Sequence, residues 1–364
     1  MSNIDSVYIH IPFCKTICSY CDFCKIFYDK KYIKDYLDSL AQEIKTYYKD
    51  HIIKTIYIGG GTPSSLSIEE LNRLFEIIRT FKLAEDFEFT FEINIEHINE
   101  EILALLYQNK VNRLSIGVQT FNPKHLQFLN RNHQKEEVIK NINIAKGLGF
   151  TNINIDLIYA IPNQTKEELL DDINMFLKLD VNHISTYSLI IEPRTILYVN
   201  KVEYIDDELD YAMYKIINDK LMQHGFNQYE ISNYSKPGYE SKHNLQYWNN
   251  SEYYGFGMGA SGYVNNVRYT NTLNINKYIK NCFRELEEVV DSNTKLENEF
   301  LLGFRKTKGI NKQEFYQKYG ITIYEIPQIY KLIKEGKLID KKTNIFINPK
   351  YLYLSNEILI NFMV

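Results

Sequence analysis

The chain has no excess of basic residues. In 364 residues, 42 Lys and Arg stand against 46 Asp and Glu, for a formal charge of -4 with both signs interspersed. A nucleic-acid partner calls for a concentrated basic face, and none is visible, so that class of partner is set aside. Long apolar runs are missing as well: each is broken by Asn, Lys or Asp well short of the roughly 20 residues that a membrane-spanning helix needs. A strand-like run, Val7 to Ile11, starts close behind Met1 and leaves no room for a charged segment followed by an apolar one, so a cytoplasmic location is expected. No internal repeat or low-complexity linker interrupts the chain. Tryptophan is reduced to Trp248, while 30 Tyr and 20 Phe carry no functional signal by themselves. With 45% hydrophobic residues, the chain can bury a large core and add a smaller module to it.

Cysteine is scarce, five in all, yet Cys14, Cys18, Cys21 and Cys24 fall in one short stretch and leave Cys282 alone. An odd count bunched in this way reads as a metal site before a disulfide framework, and a reducing compartment agrees with it. The Cys-x3-Cys-x2-Cys spacing of Cys14, Cys18 and Cys21 lets three thiolates on one loop each bind a different iron of a [4Fe-4S] cubane. The fourth iron then has no protein ligand. That vacancy is what S-adenosylmethionine (SAM) requires: its methionyl amine and carboxylate chelate the open iron. One-electron reduction then breaks a C–S bond to give the 5′-deoxyadenosyl radical, chemistry that the cofactor supplies and the protein positions. The competing reading is a structural zinc site completed by Cys24, although zinc ribbons draw their ligands from two separated hairpins. Cys24 is otherwise expected to be a free thiol near the cluster.

Up to about residue 190, short β-branched or aromatic runs alternate with helix-period segments, the pattern of βα units around a parallel sheet. Strands are expected near Val7 to Ile11, Thr55 to Ile58, Glu88 to Ile93, Arg113 to Ile116, Asn152 to Leu157 and His183 to Ser188. Helices are expected at Ile33 to Tyr48, Ile68 to Phe81 and Glu136 to Leu148, where apolar residues recur at three- and four-residue spacing. The fold class is α/β: a partial (β/α)6 barrel over residues 1–200, an α+β extension over 201–289, and a small winged-helix-like module over 290–364 with three short helices and a terminal strand pair. Ligands of such folds sit at the C-terminal strand ends, so the candidate residues belong to the loops that follow the strands. There Gly59-Gly60-Gly61-Thr62-Pro63 lets backbone approach a ligand closely, because no Cβ intervenes.

Tyr8 to Phe23, YIHIPFCKTICSYCDF, resembles the cluster loop of the oxygen-independent coproporphyrinogen oxidase family and its relatives, the HemW-type heme chaperones, a group within the radical SAM superfamily. The resemblance extends over essentially the whole chain. It implies that the GGGTP run, through Gly60, Gly61 and Thr62, holds SAM. It further implies that Glu92 meets the methionyl amine, with Tyr8 and Tyr20 beside it. Gln119 and Arg131 then contact SAM, Asp156 takes the ribose hydroxyls, and Arg113 is a weaker candidate. Ile95 departs from the Pro common after Glu-x-Asn in relatives. Phe23 stands where the oxidases carry a further Cys, and few residues precede Tyr8; both differences favour the chaperone branch. His243-Asn244-Leu245-Gln246-Tyr247-Trp248 is similar to the HNxxYW motif associated with heme in that branch.

An imidazole can ligate heme iron and aromatic neighbours can stack on a porphyrin; otherwise His243 caps or packs a structural corner. Gly255 to Gly262 reads as a close-approach loop or a tight hairpin. His10 is expected behind the cluster loop, whereas His51, His97, His125 and His224 are expected to be solvated. The resemblance implies a heme chaperone with heme, SAM and a [4Fe-4S] cluster as cofactors, and a recipient hemoprotein and an external one-electron donor as partners. It leaves room for a homodimer and for peripheral membrane contact without a span. The alternative is oxidative decarboxylation of coproporphyrinogen III, and a more generic radical SAM methyltransferase or cyclase is a third reading.

Overall fold

The structure, a computed structural model, describes residues 4–363. Strands β1 (Ser6–Ile11), β2 (Ile52–Gly60), β3 (Lys82–Asn94), β4 (Arg113–Gln119), β5 (Asn152–Tyr159) and β6 (His183–Ser188) pair in parallel in that order. These are the six expected strands, lengthened mainly at their ends. The helices Lys30–Tyr47, Ile68–Ile78 and Lys135–Gly147 match the periodic segments closely.

Three further strands join the same sheet. β7 (Asn227–Gln228) and β8 (Asn233–Ser235) add antiparallel beyond β6, and β9 (Tyr254–Phe256) pairs in parallel with the free edge of β1, Val7 opposite Tyr254. The partial barrel therefore draws its first edge from the middle of the C-terminal half. Close approach decides the glycines here. A Cβ on Gly255 would lie 1.9 Å from the Ser261 carbonyl oxygen, and one on Gly257, at φ +102°, would lie 2.4 Å from the His10 oxygen.

Side chains alternate along these strands. Val7, Ile9, Ile56, Ile58, Phe89, Phe91, Leu114, Ile116 and Ile155 join the main hydrophobic core with the helices. The register places the opposite face in rows: Ser6 beside Thr55, Thr90 beside Arg113, Glu92 beside Ser115, Asn154 beside His183 and Asp156 beside Ser185. This inner face is mostly polar, an arrangement that calls for hydrogen-bond partners or ligands rather than tighter packing.

Three-stranded β10 (Ser261–Val264), β11 (Val267–Asn271) and β12 (Arg284–Val289) follow β9. Glu43, buried on the first helix, ties this sheet to the barrel: Gly257 N–H, Asn271 Nδ2 and the Tyr278 hydroxyl donate to its carboxylate at 2.9, 2.7 and 2.6 Å. The last segment has its own core, with Phe300, Phe304, Phe315 and Phe362 packed together. Its strands β13 (Ile310–Asn311), β14 (Leu338–Asp340) and β15 (Asn344–Ile347) form a sheet in the order β13-β15-β14. The expected strand pair is thus a three-stranded sheet, and it is not terminal: the helix Ser355–Leu359 follows and contributes Ile358 and Leu359 to this core. Among the described residues no helix is long and apolar enough to cross a membrane.

Candidate functional site

The cysteine loop leaves the end of β1 and is closed by a short parallel pairing of Phe13–Cys14 with Ile26–Phe27. It is pinned from across the barrel by the turn after β4. Ser19 Oγ donates to the Phe128 oxygen at 2.8 Å, Asn130 Nδ2 donates to the Ile17 oxygen at 2.7 Å, and Arg131 Nη1 lies 3.9 Å from Cys18 Sγ. The Thr62 hydroxyl donates to Cys14 Sγ at 3.3 Å, and Lys25 Nζ donates to the Cys21 carbonyl. Burial pushes the Cys14 thiol up to about 11 and raises that of Cys21.

Cys14, Cys18 and Cys21 line a cavity of about 130 Å³ together with Tyr20, Gly60, Gly61, Thr62, Glu92, Gln119, Arg131 and Asp156. Among the described residues, no group of three or more His, Cys, Asp or Glu side chains is arranged to hold one metal ion. The three thiols surround a space rather than meeting at a point. Cys24 is outside that lining and unpaired with another cysteine; a Cβ on Gly259 would lie 2.5 Å from its own, so its place is against the glycine-rich segment.

Two glycines at the end of β2 are required by their surroundings. A Cβ on Gly59 would lie 2.6 Å from the Glu92 carboxyl carbon, and Gly60, at φ +112°, has the His10 ring where a side chain would go, 2.4 Å away. Glu92, on the inner face of β3, accepts from the Tyr57 hydroxyl at 2.6 Å and from Gly60 N–H at 3.1 Å. Both donors are neutral. Burial, with Asp156 nearby adding to it, pushes the Glu92 carboxyl up to about 7. A carboxylate in that setting is restored to its charged form by an incoming ammonium group.

Arg131 is engaged at both Nη atoms: Nη1 donates to Asn94 Oδ1 at 3.1 Å, and Nη2 to the Gly117 oxygen at 2.8 Å and to Glu96 at 3.3 Å, while Nε has no partner. Arg131 and His133 together hold the Glu96 carboxyl down at about 2, against the opposing effect of burial. Gln119 ends β4 at φ +71°, where the ladder to β5 shifts register, and its side chain packs over Gly117. Asp156 accepts from Asn154 Nδ2 at 2.8 Å, and burial raises its carboxyl.

A second cavity of about 340 Å³ continues from the first, sharing Tyr20, Phe23, Glu92, Ser115, Gln119 and Asp156 with it. Arg113, Asn154, Ser185, Tyr187 and Leu189 extend it under β4 to β6, and Asn244 closes it from below.

Tyr8 and His243 are placed differently from the other candidates. The Tyr8 hydroxyl hydrogen-bonds with His10 Nδ1 at 2.9 Å, and neither residue is among those lining the two cavities. His10 Nε2 meets the Cys24 oxygen at 2.7 Å, and burial lowers its imidazole to about 4. His243 belongs to the helix Lys242–Trp248, which plugs the inner end of the barrel. Its ring is 1% exposed, with Nδ1 on the Thr55 hydroxyl at 2.9 Å and Nε2 on the Tyr247 hydroxyl at 2.8 Å. Both nitrogens that could ligate iron are thereby committed, and burial lowers the imidazole to about 3. In this structure the ring packs a structural corner.

The solvated histidines need correcting too. His125 is buried against Glu168 at 3.1 Å, while His97 and His51 hydrogen-bond with Ser64 and Tyr254; of the four, His224 is exposed. His183, not singled out from the sequence, bridges Asn154 and Tyr229 inside the barrel. The available signal was its position at the start of a strand whose alternate residues are polar.

Residues 8–176 match the radical SAM superfamily. Over 98% of its length the chain is 40% identical to the heme chaperone HemW of Bacillus subtilis (strain 168), covering 99% of that protein. It is 34% identical to the heme chaperone HemW of Escherichia coli (strain K12), with 92% of each chain covered. Among solved structures, Escherichia coli coproporphyrinogen III oxidase (HemN), a radical SAM enzyme, superposes with a TM-score of 0.86 at 21% identity, over 99% of this chain and 90% of that one.

Proposed function

This chain belongs to the HemW family of the radical SAM superfamily, and from that premise we propose that it is a heme chaperone that binds heme, SAM and one [4Fe-4S] cluster and passes heme to a recipient hemoprotein. The observation that carries the reading is the single cavity in which three thiols face a glycine cradle and a buried carboxyl whose hydrogen-bond donors are all neutral. The residues fit the groups. Cys14, Cys18 and Cys21 form a three-thiol donor set around a space, and the glycine loop is free of the side chains that would fill it.

When bound, the cluster and SAM supply an open iron and one-electron chemistry. Glu92 then holds the methionyl ammonium, Gly60 and Gly61 admit the ligand to backbone distance, and Asp156 accepts from ribose hydroxyls. Arg131 keeps the 128–131 turn seated against the cysteine loop, which excludes water from the cluster side. The same reading places the protein in the cytoplasm and gives it a one-electron donor and a hemoprotein as partners.

The test uses anaerobically reconstituted protein. It should bind hemin with a defined Soret band, release it to an apo-hemoprotein, and form no protoporphyrinogen IX from coproporphyrinogen III with SAM and dithionite. Absence of hemin binding, or robust formation of that product, overturns the proposal.

A further inference from the structure

Arg113 is buried on the inner face of β4, 1% exposed, and makes no ion pair among the described residues. Its one hydrogen bond is long, from Nη1 to the Thr90 hydroxyl at 3.5 Å, and Nε has no partner. A guanidinium carries five donors in a fixed fork, and burying it without an anion is unfavourable. Arg131, whose Nε is also without a partner, differs at its Nη atoms, which meet Asn94, Gly117 and the Glu96 carboxylate. Glu92 and Asp156 lie close enough for the Arg113 charge to favour their ionised forms, yet neither forms a hydrogen bond or ion pair with it: Glu92 is held by Tyr57 and Gly60, and Asp156 by Asn154.

What Arg113 does face is the second cavity. At about 340 Å³ it falls at the lower end of small-molecule sites, about 300–1,000 Å³. Ile158, Leu189 and Ile190 give it apolar lining, Asp22 and Glu192 add carboxylates, and Phe23 is shared with the cluster cavity. Phe23 and Ile190 are exposed, which suits a ligand with an apolar body that extends out of the cavity.

We propose that Arg113 anchors the carboxylate of a ligand that enters the second cavity with its apolar body against Ile158, Leu189, Ile190 and Phe23. A planar fork takes an aliphatic carboxylate through two parallel hydrogen bonds, and the dry surroundings strengthen them. Two sources supply that chemistry, a tetrapyrrole propionate and the methionyl carboxylate of SAM; the first rests on the proposed function and the second does not.

The experiment compares full-length wild type, Arg113→Gln and Arg113→Lys after anaerobic reconstitution, with hemin, hemin dimethyl ester and SAM as separate probes. With a propionate on Arg113, Arg113→Gln weakens hemin binding by about 10- to 100-fold, leaves the dimethyl ester and SAM unchanged, and Arg113→Lys recovers part of the loss. A loss of that size confined to SAM assigns the methionyl carboxylate and equally supports the anchor. Affinities for hemin and SAM within about twofold of wild type, in a variant with the wild-type circular dichroism and melting curve, overturn it. So does equal weakening of hemin and its ester. If wild type binds no hemin, the proposed function falls and the SAM arm alone decides on Arg113; if Arg113→Gln does not fold, Arg113→Lys carries the same comparison.

Discussion

Glu88 and Glu92 lie four residues apart on the same face of the same strand, and their surroundings differ completely. Glu88, at the inner end of the barrel, accepts from Lys242 N–H and His243 N–H at 3.0 Å each and from the Ser241 hydroxyl at 3.4 Å, capping the plug helix. His243 beside it is likewise satisfied at both nitrogens. Glu92, at the outer end, has two neutral donors and a raised carboxyl, and Arg113 nearby makes no ion pair and leaves its Nε without a partner. Buried polar groups are normally paired. Where a barrel satisfies them it is holding itself together, and where it leaves them wanting it is prepared for something else.

That contrast breaks first at the thiols. Cys18→Ala should lose the iron and sulfide of anaerobically reconstituted protein entirely, with the melting temperature of the metal-free form little changed, while Cys24→Ala keeps the full iron content. Equal iron loss in both variants removes the distinction between cavity-lining and outlying cysteines. Next comes Glu88→Ala, which orphans two helix N–H groups and should cost about 2–4 kcal/mol of stability in denaturant unfolding. SAM affinity of the folded fraction should remain near wild type.

Glu92→Gln inverts the pattern: stability is unchanged or slightly raised, and SAM affinity measured by calorimetry falls by about tenfold or more. Its pH dependence sharpens the assignment. The folded carboxyl titrates near 7, above its unfolded value, so in the ligand-free protein its contribution to stability is present below the unfolded pKa and is lost as pH rises through about 7. Affinity for an ammonium group runs the other way, strengthening as the carboxyl ionises across the same window. A SAM affinity flat with pH in wild type, or equally pH-dependent in Glu92→Gln, takes that role from Glu92. The smallest effect is expected at the plug: His243→Ala should leave the Soret band and hemin affinity of the folded protein unchanged, and loss of the band would show that the helix withdraws to expose the ring.

Much of the outer end was legible in the sequence. The six parallel strands announce themselves because each is a short run of β-branched or aromatic residues, and the cysteine and glycine motifs are local, so spacing alone places them on adjacent loops. The inner end was not. β9 has three residues and pairs with a strand far away in the chain, a contact that leaves no local pattern. His243 stood between heme contact and a structural corner because a histidine among aromatics fits either role until its hydrogen bonds are known. His125 read as solvated because Glu168, its partner, lies on a helix beyond the next strand of the chain. Arg113 stayed a weaker candidate for the opposite reason: lacking a partner is a property of a three-dimensional neighbourhood.

The pairing of β1 with β9 has a consequence for synthesis. The ribosome delivers the strand that precedes the cysteine loop almost at once, but its outer neighbour emerges only after Phe256. At about 5–20 residues per second, the nascent chain spends on the order of ten seconds or longer with that first strand unprotected on one side. The plug helix arrives in the same late stretch, just ahead of β9. Assembly of the thiol loop into its final setting therefore waits on residues translated well after the cysteines themselves.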